Sequence, residues 1–182
     1  GCMDATACNY DTAAGVDDGS CTYAAAGLDC SGACLAGSTL VISIATDQYP
    51  SENSWSLTAD GVTIANGGGV NQNEVICVDP TQCHVFTMLD SYGDGQFGSA
   101  WGGVDGSTSI SLDGVEIFTS TGNWGASIST NIGGCVTDCG DATANNYNAD
   151  ADFVDNELCT YDTLPGCMDA TACNYDTAAG VD

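Results

Sequence analysis

Between residues 37 and 134 the chain alternates apolar and polar side chains over short runs. Trp55 and Leu57, Val85 and Thr87, and Ile110 and Leu112 each stand two positions apart. A period of two places alternate side chains on opposite faces of an extended backbone. Eight such runs, rich in β-branched and aromatic residues, predict strands over 39–45, 54–58, 62–65, 74–78, 83–89, 107–112, 115–119 and 126–132. Asp60-Gly61 and Asp113-Gly114 lie between neighbouring runs and have the composition of tight hairpin turns. No helical period competes. The expected fold is all-β, a jelly-roll-like β-sandwich.

The flanks read differently. Residues 1–36 and 135–165 are cysteine-rich and strand-poor, and the second flank echoes the first. Cys139, Asp141-Ala142-Thr143-Ala144, Asn146-Tyr147, Asp155 and Cys159-Thr160-Tyr161 follow the order of Cys2, Asp4-Ala5-Thr6-Ala7, Asn9-Tyr10, Asp17 and Cys21-Thr22-Tyr23. One residue is inserted, and Asn145 replaces Cys8. A stronger repetition lies at the ends. Gly1–Asp17 returns letter for letter as Gly166–Asp182, an offset of 165 residues (166 − 1). The expected organisation is therefore a cysteine-rich module (1–36), a β-sandwich (37–134), a second cysteine-rich module (135–165) and the start of the next identical repeat unit (166–182). Arrays of identical units form elongated objects.

Charge narrows the partners. The chain has no Lys or Arg, 25 Asp plus Glu, one His and a formal charge of −25. Nucleic acid and anionic membranes require cations on the protein, so neither is an expected partner. No apolar run approaches the ~20 residues of a membrane span. The same charge repels itself along an array, which divalent cations would relieve. With 43% apolar residues, the chain carries enough apolar side chains to build a core.

Twelve cysteines are present, ten of them within one period. Complete pairing is expected, and with it a secreted, extracellular location. The shared framework suggests Cys2–Cys21 and Cys139–Cys159. Cys8, without a counterpart at Asn145, needs an outside partner, and Cys30 is the nearest candidate. Cys77–Cys83 would staple a hairpin around Asp79-Pro80, and Cys34–Cys135 would clamp the two ends of the sandwich. Sequence alone leaves other connectivities open.

Two kinds of oxygen cluster suggest Ca2+. Asp90-Ser91-Tyr92-Gly93-Asp94-Gly95 leaves a strong strand and sets carboxylates four apart among glycines. Calcium takes six to eight oxygens at about 2.3–2.6 Å, backbone carbonyls included. Asp90, Tyr92 and Asp94 are the expected ligands, with Asp105 joining from the same loop. The twelfth position is Trp101 rather than Glu, so the loop is not an EF-hand. Asn9, Asp11, Asp17 and Asp18, with Asp4, form the second cluster; Asn146, Asn148 and Asp155, with Asp141, are its echo. Trp55, Phe97, Trp101, Trp124 and Tyr92 suit either core packing or stacking on sugars. His84 has no marked nucleophile or orienting carboxylate, so neither catalytic residues nor an organic cofactor are expected.

The runs GCMDATACNYD, DDGSCTY and AGLDCSGACL resemble the cysteine-rich tandem repeats of large secreted surface proteins from aquatic bacteria. In that family the last element usually reads YDCDGNCL, from which Leu28, Ser31 and Ala33 depart. The central TLVISIATDQYPSENSWSL, DSYGDG and ISLDGVEI resemble a secreted β-sandwich module of bacterial and algal surface proteins. Asp11-Thr12-Ala13, Asp162-Thr163-Leu164 and Asp176-Thr177-Ala178 resemble an O-glycosylation motif of Bacteroidetes secreted proteins, which implies glycans on Thr12, Thr163 and Thr177. These resemblances imply adhesion or extracellular scaffolding. The expected function is that of a structural subunit of an extracellular fibre or surface stalk, joined to copies of itself and stiffened by disulfides and Ca2+. The alternative is a calcium-dependent carbohydrate-binding or adhesin module.

Overall fold

The computed structural model describes residues 1–161, 164–165, 167, 169–175 and 179–181. The chain divides into two compact units, Gly1–Gly134 and Cys135–Asp182. In the first, the alternating runs form eight strands: β1 (Ser38–Ala45), β2 (Asn53–Ala59), β3 (Val62–Gly68), β4 (Gln72–Val78), β5 (Cys83–Asp90), β6 (Ser107–Leu112), β7 (Val115–Thr121) and β8 (Ser127–Gly133). They build two four-stranded sheets, β4-β1-β6-β7 and β3-β2-β5-β8, with antiparallel pairing throughout. This is the all-β sandwich that the alternation predicts.

The core follows from the pleat. In β1, Leu40, Ile42 and Ile44 point inward while Val41 and Ser43 do not. Trp55 and Leu57 of β2, Phe86 and Met88 of β5, Ile110 of β6, Val78 of β4 and Ile132 of β8 complete one cluster drawn from both sheets. Burying a side chain such as Phe86 contributes about 1.5–3 kcal/mol, and the two inner faces supply enough of them to hold the sheets together. Both predicted hairpin turns are present. Asp60 and Gly61 have φ of 47° and 77°, and Asp113 and Gly114 have 50° and 80°. Two consecutive positive φ values define the type I′ turn, whose twist matches that of paired strands.

Cys2–Cys21, Cys8–Cys30 and Cys139–Cys159 are bonded. The expected Cys77–Cys83 and Cys34–Cys135 pairings are not, because Cys34 joins Cys77. The reason is sheet assignment. β4 and β5 lie in different sheets, so Asp79-Pro80 links the two layers rather than closing a hairpin. Cys77 instead lies opposite Thr39 on β1, just beyond Cys34 in the chain. Val78 takes the inward position, so Cys77 faces outward, where the first module meets the sheet. Cys83, which the expected hairpin staple would have used, takes part in a different disulfide.

In the second unit, β9 (Thr137–Asp138) pairs with β10 (Phe153–Val154), and β11 (Leu164–Pro165) with β12 (Ala179–Val181), both in parallel. Its first module repeats several contacts of the N-terminal one. Cys8 N–H donates to Thr22 O at 2.8 Å, and Asn145 N–H to Thr160 O at 2.8 Å. Tyr23 Oη donates to Asp4 Oδ2 at 2.8 Å, and Tyr161 Oη to Asp141 Oδ2 at 2.7 Å. Among the described residues no helix is long and apolar enough to cross a membrane.

Candidate metal centre

β5 ends in Asp90, which is opposite Asn53 at the start of β2. That register brings Glu52, the last residue of a 3-10 turn (Pro50–Glu52), to the mouth of the Asp90–Gly95 loop, where Ser91 N–H donates to Glu52 O at 3.0 Å. Glu52, Asp90 and Asp94 each place a carboxylate oxygen within 4.8 Å of the other two. Asp90 is only 4% exposed. Its Oδ1 accepts the Gly93 N–H and, at 3.3 Å, the Asp94 N–H, so the carboxylate folds the loop around itself. Gly95 is required for that fold: its φ is +79°, and a Cβ there would lie 2.8 Å from Gly122 O. The loop is anchored further on by buried Gln96, whose Nε2 donates to Ala45 O at 3.2 Å and whose Oε1 accepts from Thr108 Oγ1 at 3.1 Å.

Electrostatically this is a crowded site. Partial burial, followed by the charges of Asp90, Asp94 and Asp47, pushes the Glu52 carboxyl above its ordinary range. Beside it, Asn53 is 5% exposed and donates its amide to Asp90 Oδ2 at 3.4 Å. Its Oδ1 is buried without a hydrogen-bond partner. A buried polar atom left in that state costs about 1–3 kcal/mol.

A cleft of about 240 Å³ opens over Glu52, walled by Tyr49, Tyr92 and Trp101. Tyr92 and Trp101 are 62% and 54% exposed and meet edge to face at 5.9 Å. Trp101 Nε1 donates to Asp94 Oδ2 at 3.0 Å, tying the aromatic wall to the carboxylates. Of the other aromatic candidates, Trp55 is in the core and Trp124 packs against it.

Of the ligands expected around this loop, the structure brings Asp90 and Asp94 together. Asp105 stands apart from that group: its Oδ1 accepts the Ser99 N–H at 2.8 Å and braces the 3-10 turn Gly98–Trp101. Tyr92 presents its ring to Trp101. Glu52 and Asn53 are the residues sequence reasoning missed. Nothing in their spacing points to the loop, since 38 positions separate Glu52 from Asp90 (90 − 52) and only the β2–β5 register joins them.

The polar residues of the cysteine-rich modules hold turns. Asn9 clamps two strands of backbone, with Oδ1 accepting Thr22 N–H at 2.8 Å and Nδ2 donating to Ser20 O at 2.6 Å. Asp11 and Asp17 each accept the N–H two residues on, from Ala13 and Gly19. In the echo, Asn146 spans to Thr160 and Leu158, Asn148 accepts from Asp150 and donates to Asp138, and Asp155 caps a 3-10 turn through Glu157 N–H. These are side-chain turns of the kind Asn and Asp favour. Hydrogen bonds from Thr6 and from the Tyr23 hydroxyl hold Asp4 below the ordinary carboxylate range. Asp141 is lowered in the same way, first by Tyr161 and then by Thr143. Thr12 is exposed, while Thr163 and Thr177 lie outside the described residues. His84 is buried in β5, with Nδ1 3.1 Å from Gln82 O.

Among known proteins, no family model, curated protein or solved structure matches this chain.

Proposed function

We propose that the protein is a structural unit of an extracellular fibre or stalk, in which each unit is joined to the next in tandem or head to tail. One observation carries this reading. Residues 167–175 repeat the sequence of residues 2–10, and the described ones, Cys167 and 169–175, repeat its local contacts. Asp169 accepts the Thr171 N–H at 2.9 Å as Asp4 accepts that of Thr6 at 2.9 Å, and the Cys167–Tyr175 bridge reproduces Cys2–Tyr10. A contact that joins identical units head to tail is heterologous and open, the geometry that propagates filaments. The disulfides accord with an oxidising, extracellular setting, and the resemblance to secreted tandem-repeat surface proteins supports the same reading.

Electron imaging of the native material, with disulfide mapping, tests the proposal. Filaments with one unit per axial repeat, and Cys167-type peptides linked to Cys21-type peptides, are expected. Monodisperse particles with free Cys167 and Cys173 would overturn it.

The Tyr49, Tyr92 and Trp101 cleft favours a second reading, a carbohydrate-binding or adhesin module, since exposed rings beside polar groups stack on sugars. Quenching of Trp101 fluorescence by a saccharide panel, lost in Trp101→Ala, is the result it requires.

A further inference from the structure

We infer that Glu52, Asn53, Asp90 and Asp94 form a binding site for one hard divalent cation of the calcium class. The inference is independent of how units join. It adds Glu52 and Asn53 to Asp90 and Asp94, the two expected ligands that the structure brings together.

Four observations converge. First, the carboxylate oxygens of Glu52, Asp90 and Asp94 lie within 4.8 Å of one another. Oxygens about 2.4 Å from a shared Ca2+ stand roughly 3.4 Å apart when adjacent and roughly 4.8 Å when opposite, so the group spans one coordination shell. Second, Asp90 is buried, and the chain holds no Lys or Arg. No side chain of this protein other than His84 can carry a compensating positive charge, and His84 sits at the far end of β5. Buried carboxylates are ordinarily paired or bound to a metal. Third, Asn53 is buried with its amide against Asp90, while its Oδ1 has no partner. Turning that amide over exchanges its nitrogen for its oxygen and points a neutral ligand at the ion, which satisfies the orphaned atom. Fourth, the frame is rigid where the ligands sit. Asn53 and Asp90 are paired across two strands, and the Asp90–Gly95 loop is cinched by Asp90 itself. Preorganised oxygens on strand ends suit calcium, whose shell tolerates irregular geometry, better than magnesium, which demands an octahedron.

The site also carries its own reporter. Trp101 donates to Asp94 and stacks on Tyr92, so a lanthanide held by Asp94 lies next to two sensitising rings.

The experiment titrates the 182-residue chain, stripped with a chelator, with CaCl2 by calorimetry and with TbCl3 by sensitised luminescence. The Tb3+ signal is excited through the aromatic rings. One ion per chain above the weak background of scattered carboxylates is expected, with Ca2+ displacing Tb3+. Glu52→Gln and Asp94→Asn should each weaken Ca2+ binding at least tenfold and dim the luminescence. Asp17→Asn and Asp155→Asn should leave both unchanged. Circular dichroism of the Glu52→Gln chain, matching the wild type, checks that the fold persists. No discrete site, or a site whose affinity is the same in Glu52→Gln, would overturn the inference. Neither result bears on whether units join end to end, so the two proposals fail separately.

Discussion

The Cys34–Cys77 bond is the sharpest test of how the first module is fastened to the sandwich. It closes a loop with a sequence separation of 43 residues. The loop-entropy relation gives about 13 cal/mol/K for that length, or roughly 4 kcal/mol at 25 °C. Little else is lost when both sulfurs are removed, because Cys77 is exposed, Cys34 is only partly buried and neither belongs to the core cluster. A Cys34→Ala/Cys77→Ala double variant is therefore expected to lose about 4 kcal/mol of unfolding free energy, almost all of it through greater freedom of the unfolded chain. For a unit of 134 residues with an unfolding entropy near 2.1 cal/mol/K per residue, that loss lowers Tm by about 14 °C. Urea denaturation followed by Trp fluorescence reads it, since Trp55 is buried in the sandwich core. The midpoint should fall. A loss below about 1 kcal/mol would refute the argument, as would a non-reducing peptide map of the wild type that joins Cys77 to Cys83.

Two further outcomes follow from the same structure. Phe86 is fully buried between Trp55 and Phe118, at centroid distances of 5.9 and 6.3 Å, so Phe86→Ala should cost about 3–5 kcal/mol by chemical denaturation; a cost under 1 kcal/mol would show that the two sheets do not share this core. The Tyr23 hydroxyl helps to hold Asp4 below its ordinary pKa, so the stabilisation it lends is present above about pH 4 and is lost as pH falls through the lowered folded value. Tyr23→Phe should therefore separate from the wild type in thermal melts at pH 6 and coincide with it near pH 2, while an Asp4 NMR titration midpoint in the wild type at or above that of Tyr23→Phe would contradict the assignment.

Much of the sandwich was legible along the chain, because a period of two reports burial directly: a residue such as Leu40 or Phe86 is apolar for the face it occupies, whatever strand lies beside it. The hairpin turns at Asp60-Gly61 and Asp113-Gly114 were legible for a similar reason, since their positive φ values are a local demand that Asp and Gly meet. The same holds for the cysteine-rich modules, whose closures Cys2–Cys21 and Cys139–Cys159 span short loops that the repeat displays twice. What the sequence did not contain was which strand enters which sheet. That choice is made by packing between segments far apart in the chain. It sent Cys77 to Cys34 instead of to its near neighbour Cys83, and it laid Asn53 against Asp90 so that Glu52 meets Asp94. Local spacing identified the Asp90–Gly95 loop as rich in oxygen, but only the β2–β5 register could supply its third carboxylate and its buried amide, because cross-strand neighbours are fixed by tertiary pairing and leave no mark on the spacing of either strand.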